Sequence, residues 1–126
     1  MRNHLATRVL AVVALGAIAL TALACGSASG SAGPVQTNEV TMPKSYRFSP
    51  ETIEVAVRAT VTWRNQDNFT HSVKLRDGGE PDHIVKPGES VSITFSRPGT
   101  YAYECSLHPQ NMRGTVIVTD APPAGG

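Results

Sequence analysis

From Ile53 to Val118 apolar side chains recur at every second position, in short runs cut apart by Gly, Pro, Asn and Asp. A period of two is that of a strand with one face in a core, and no stretch between carries the helical period. Ile53, Val55 and Val57 alternate with Glu54 and Ala56, and Val61 and Trp63 alternate with Thr60, Thr62 and Arg64. Val91, Ile93 and Phe95 alternate with Ser90, Ser92, Thr94 and Ser96. Tyr101, Tyr103 and Cys105 share one parity, and Val116 to Val118 closes the series. Turns fall at Asn65 to Asn68, Asp77-Gly78-Gly79, Lys86-Pro87-Gly88 and Arg97-Pro98-Gly99. Short alternating strands at this spacing predict an all-β, antiparallel sandwich.

The last alternating strand but one runs into a cluster of metal-binding side chains. Cys105, His108 and Met112 lie in YECSLHPQNM, and His71 stands upstream in DNFTHSV. A thiolate and a thioether are soft donors that suit cuprous ion, while imidazole suits both oxidation states. Three strong donors in a trigonal set, with the thioether held long, make a compromise geometry for mononuclear electron-transfer copper. Gln110 is the alternative to Met112 as the weak axial donor, because an amide oxygen can fill that place.

These residues resemble the plastocyanin, amicyanin and azurin group of blue (type 1) copper proteins, the cupredoxins. FSPETIEV, VTWRNQDNFTHSV, the KPGES turn, TFSRPGTYAYEC and MRGTVIV occur in that family's order, from about residue 40 to 119. The resemblance implies a Greek-key β-sandwich of two sheets, with about seven to eight strands, binding one copper ion. It implies His71, Cys105, His108 and Met112 as ligands, with His108 near the surface as the port for electrons. Ser72 and Ser106 each follow a ligand, and in relatives the corresponding side chains hydrogen-bond across two loops; two solvated hydroxyls are the plainer reading. Pro109 follows His108 as in amicyanin-like loops, and it has no N–H to donate beside the metal loop. Two departures stand out. Three residues separate His108 from Met112, where plastocyanin-like loops have four and amicyanin-like loops two. Arg58-Ala59 occupies a turn where the family has Gly, which demands either a negative φ or a small strain at Arg58.

The N-terminus reads as an export signal. MRNHLATR is basic, and Val9 to Ala24 is an unbroken apolar or small run of 16 residues. That is short for a membrane span. Ala22-Leu23-Ala24-Cys25 resembles a bacterial lipobox with Ala22 in place of Leu, so Cys25 is the expected lipid attachment point. Simple cleavage after the A-x-A is the alternative, giving a secreted soluble protein. The expected organisation is a lipoprotein-type signal peptide over 1–24 and a flexible Gly/Ser/Ala linker over 25–38. A domain over 39–120 and a disordered tail over 121–126 complete it. Of the eleven Lys and Arg, Arg2 and Arg8 leave with the signal, so nine face ten Asp and Glu. That balance does not suggest nucleic acid. Export favours disulfides, and with Cys25 lipidated Cys105 has no partner, which metal ligation explains.

Function then divides into three readings. The first is an electron carrier, a monomer held at the outer face of the cytoplasmic membrane or in the periplasm, exchanging single electrons with redox partner proteins. The second is a copper-delivery or copper-storage protein, but Met and His are sparse away from the cluster. The third, an enzyme, is disfavoured, since one copper with four protein ligands leaves no open position for substrate. His83 reads as a surface residue in a Gly/Pro-rich connection, Met42 as a packed or edge-strand residue, and Trp63 as core.

Overall fold

The computed structural model describes residues 33–120. The signal peptide expected over 1–24, Cys25, the linker up to residue 32 and the tail over 121–126 lie outside the described residues. Within them the chain forms nine strands and no helix. In order these are β1 (Val35–Gln36), β2 (Glu39–Met42), β3 (Thr52–Ala56), β4 (Thr60–Asn65) and β5 (His71–Leu75). They continue with β6 (His83–Val85), β7 (Ser90–Thr94), β8 (Gly99–Glu104) and β9 (Arg113–Thr119). One sheet has the order β1-β3-β9-β8-β5-β6, the other β2-β4-β7. This is the two-sheet sandwich that the alternation and the resemblance imply.

The period-two residues supply the core. Ile53 and Val55 of β3, Val61 and Trp63 of β4, Ile93 of β7, Tyr103 of β8 and Val116 and Val118 of β9 are buried between the sheets. Val40, Met42 and Phe48 join them from the N-terminal side. Removing this apolar area from water is the main drive for the two sheets to close on each other. Trp63, Tyr103 and Phe48 form a chain of edge-on contacts, with Tyr103 centroids 5.2 Å from Trp63 and 4.8 Å from Phe48. Edge-to-face packing is the favoured arrangement for such rings.

Three expectations need correcting. The sheets are mixed rather than antiparallel: β1 with β3, β3 with β9 and β2 with β4 all run parallel. Consecutive strands β2, β3 and β4 alternate between sheets, so same-sheet neighbours in sequence run the same way. Alternation reports which face is buried and carries no sign of direction. Second, the chain joins the sheet before residue 39. Val35 and Gln36, inside the expected linker, pair with Ile53 and Glu54. Third, His83 opens β6 and pairs with Val73, although it remains near the surface, 3.3 Å from Glu80. The turn at Arg58 takes the strained option, with φ at 72°. Its N–H donates to Phe95 O at 2.7 Å and that of Ala59 to Ala56 O at 3.0 Å, so the turn is held although no Gly relaxes it.

Candidate metal centre

The centre is built at one end of the sandwich, where β5 begins and where the chain turns from β8 into β9. His71 is the first residue of β5 and is fully buried. Cys105 follows β8 directly and is also fully buried. The segment from Cys105 to Met112 is a closed loop. The N–H of His108 donates to Cys105 O at 3.1 Å, and that of Met112 to His108 O at 3.0 Å. The Cys105 N–H donates back to Met112 O at 3.0 Å, which closes the loop on itself. Pro109 contributes its carbonyl, which accepts from Arg113 Nε at 2.8 Å.

His71 Nδ1 lies 4.0 Å and His108 Nδ1 3.6 Å from Cys105 Sγ. The donor atoms of all three residues fall within 4.8 Å of one another. Bonds of about 2.0 Å to nitrogen and about 2.3 Å to sulfur, opened near 120°, would separate N from S by about 3.7 Å. The observed separations fit one ion among the three donors.

The tautomer of His71 follows from its neighbour. Asp67 Oδ2 lies 2.9 Å from His71 Nε2, and both side chains are buried. The hydrogen bond from His71, helped by the Asn68 N–H, holds the Asp67 carboxyl below its ordinary range against the opposing effect of burial. A carboxylate has no proton to give, so Nε2–H donates, and in the neutral ring the lone pair then lies on Nδ1, which faces Cys105. Asn65 in turn fixes the Asp67 turn. Its Oδ1 accepts the Asp67 N–H at 2.8 Å, while its Nδ2 donates to Phe69 O and Val85 O.

Sulfur has its own restraint. The Ser72 N–H donates to Cys105 Sγ at 3.3 Å. Ser72 Oγ accepts the Ser106 N–H at 2.8 Å and shares a second 2.8 Å hydrogen bond with Ser106 Oγ. The two serines therefore tie β5 to the Cys105 loop instead of facing water as free hydroxyls. Met112 is fully buried beside this assembly, whereas Gln110 is exposed on the outer face with Leu107, Pro109 and Asn111.

Two participants went unassigned in the sequence. Asp67 carries a usable signal, a carboxylate four residues before a candidate ligand His. Tyr46 had none: its ring meets both imidazoles, 4.9 Å from His108 and 5.9 Å from His71, from a loop far upstream.

Known proteins resemble this chain in sequence and in fold. The family model described as the cupredoxin-like domain matches residues 14–118. Amicyanin of Paracoccus denitrificans is 33% identical over 125 residues, covering 94% of this chain and 95% of that protein. A chloroplastic plastocyanin of Physcomitrium patens is 37% identical over 84 residues, covering 57% of this chain but only 50% of the relative's length. Among solved structures, a purple cupredoxin from Nitrosopumilus maritimus superposes with a TM-score of 0.59 at 26% identity, covering 64% of this chain and 98% of that one. The chain therefore belongs to the cupredoxin family, and the ion that its His71, Cys105 and His108 are positioned to bind is copper.

Proposed function

We propose that the protein carries single electrons between redox partner proteins outside the cytoplasmic membrane. The observation that carries this reading is the buried Cys105 Sγ with an imidazole Nδ1 on either side, at 3.6 and 4.0 Å. Copper bound there supplies a one-electron couple between its cuprous and cupric states. The chain's part is to keep the donors still. Asp67 orients His71, the Ser72 N–H and the Ser106 bridge hold the sulfur, and the closed loop holds His108. Donors that do not move when charge changes keep the rearrangement on gaining or losing an electron small. His108 is the half-exposed ligand, with His71 and Cys105 fully buried, so electrons enter and leave at its edge. Reconstitution with copper, visible spectroscopy and voltammetry test the proposal. An intense blue band with reversible one-electron waves supports a carrier, whereas rapid copper loss to a chelator in either oxidation state supports delivery.

Met112 would complete the set as a weak fourth donor. Its burial and the Cys105 N–H to Met112 O hydrogen bond support it over the exposed Gln110. Met112→Leu is expected to keep the blue band and raise the potential by tens of millivolts, because a lost axial donor weakens Cu(II) more than Cu(I). For one electron, about 59 mV corresponds to about 1.4 kcal/mol. Voltammetry in which a Gln110 variant shifts strongly and Met112→Leu does not move would reverse the assignment.

Cys25 is proposed to carry the lipid that holds the domain at the membrane, on the strength of the ALAC junction after the apolar run. The native protein is expected to have a blocked N-terminus and to partition with membranes, and Cys25→Ala to lose both properties. An unmodified mature terminus by mass spectrometry would establish simple secretion instead.

A further inference from the structure

Tyr46 occupies a backbone conformation that a tyrosine adopts at a cost, with φ at 51°. Non-Gly residues persist in the left-handed region when their surroundings over-determine them, and such positions concentrate at functional sites. Here the surroundings do so from both sides. Thr41 and Ser49 exchange backbone hydrogen bonds of 2.8 and 2.9 Å across the base of the loop between β2 and β3. The Ser45 N–H donates to Pro43 O at 2.6 Å, and Phe48 is sunk into the core against Tyr103. The Tyr46 side chain is thereby delivered onto the metal centre. Its ring meets His108 edge-on at 4.9 Å and His71 at 5.9 Å, and it stacks on Phe69 at 5.7 Å. Among the described residues no other aromatic side chain touches both imidazoles.

The two imidazoles are not equally held without it. His71 has Asp67 on its Nε2. His108 has Cys105 Sγ at 3.6 Å on Nδ1 and, among the described residues, no hydrogen-bond partner on Nε2. A ring with one free nitrogen and a half-exposed face can rotate about its side-chain torsions unless something packs against it. We propose that Tyr46 is a positioning residue, an aromatic clamp that holds His108, and secondarily His71, with Nδ1 aimed at Cys105 Sγ before any metal arrives. The proposal rests on the reading of these three residues as copper ligands, but it concerns the metal-free protein first.

The test uses the full chain with Tyr46→Gly and Tyr46→Phe. Glycine accepts a φ of 51° without strain, so it removes the ring and leaves the loop a conformation it can keep. Phenylalanine keeps the ring. In the metal-free protein, NMR of the histidine ring protons is expected to show His108 losing its ring-current shift in Tyr46→Gly and keeping it in Tyr46→Phe, with His71 moving less. Once copper is loaded, release to a chelator should be about tenfold faster or more in the glycine variant, the usual scale for losing a residue that orients a ligand, and near wild type in the phenylalanine variant. His108 shifts unchanged in Tyr46→Gly, equal copper release, or a phenylalanine variant behaving like glycine would each overturn the clamp. Wild-type protein that takes up no copper would strike the ligand reading instead, and the metal-free spectra would still decide the role of Tyr46.

Discussion

Cys105→Ser is expected to abolish the visible band of the copper-loaded protein entirely while the sandwich stays folded. The band requires sulfur: a soft, easily oxidised thiolate donates charge to Cu(II) at visible energies, and a hard oxygen donor at the same position does not. Cys105 is fully buried among core residues, so the question is whether a hydroxyl can live there. It can. The Ser72 N–H now 3.3 Å from Sγ remains a donor, and the two Nδ1 atoms at 3.6 and 4.0 Å flank the same spot. A buried polar group with partners costs little, so the stability loss should be about 1 kcal/mol. Absorption and circular dichroism spectra on the same sample check both halves. A persisting band would mean that the ligand set has been misidentified.

Gly114→Ala is expected to destabilise the protein by about 3 kcal/mol or more, near the upper end for overpacking a core. Gly114 lies directly opposite Tyr103 in the pairing of β8 with β9, and the Tyr103 ring folds across it. A β-carbon at Gly114 would fall inside the van der Waals envelope of that ring, within 2.8 Å of Cε1 and closer still to Cζ and the hydroxyl oxygen. The ring cannot retreat, since Tyr103 is fully buried with Trp63 and Phe48 packed against it. Its hydroxyl is buried beside Trp63 Nε1, so any shift of the ring would carry a polar atom through the core as well. Burial pushes the Tyr103 phenol well above its usual range, so the oxygen stays neutral. Denaturant unfolding of Gly114→Ala, Tyr103→Leu and the double variant checks the mechanism. If the clash is the cause, the double variant loses less than the two single losses combined.

Much of this architecture can be read from side-chain chemistry. The strands at Ile53, Val61, Ile93, Tyr103 and Val116 follow from period two, and His71, Cys105 and His108 follow from their donor atoms. What could not be read depends on direction or on distance along the chain. Nothing in the alternation of Ile53 and Val55 says that β3 runs parallel to β9, because either direction buries the same face. Arg58 left two backbone options open, and φ at 72° selects the strained one. Val35 and Gln36 look like linker because two residues carry no period. Tyr46 reaches His108 from 62 positions upstream, and no local pattern marks such a contact.

The position of β9 has a further consequence for how the molecule comes into being. The last strand among the described residues is an inner strand of its sheet, inserted between β3 and β8. Thr52 must find Thr115, and Ala56 must find Thr119, across most of the domain. Such long loop closures are slow relative to hairpin formation. Until β9 arrives, β3 and β8 each present an open edge, and open edges are templates for pairing with other chains. A nascent or truncated chain lacking β9 therefore has its larger sheet split into two pieces, β1-β3 and β8-β5-β6. The same strand follows directly after Met112, so the segment that seals the sheet also brings the end of the metal loop into place.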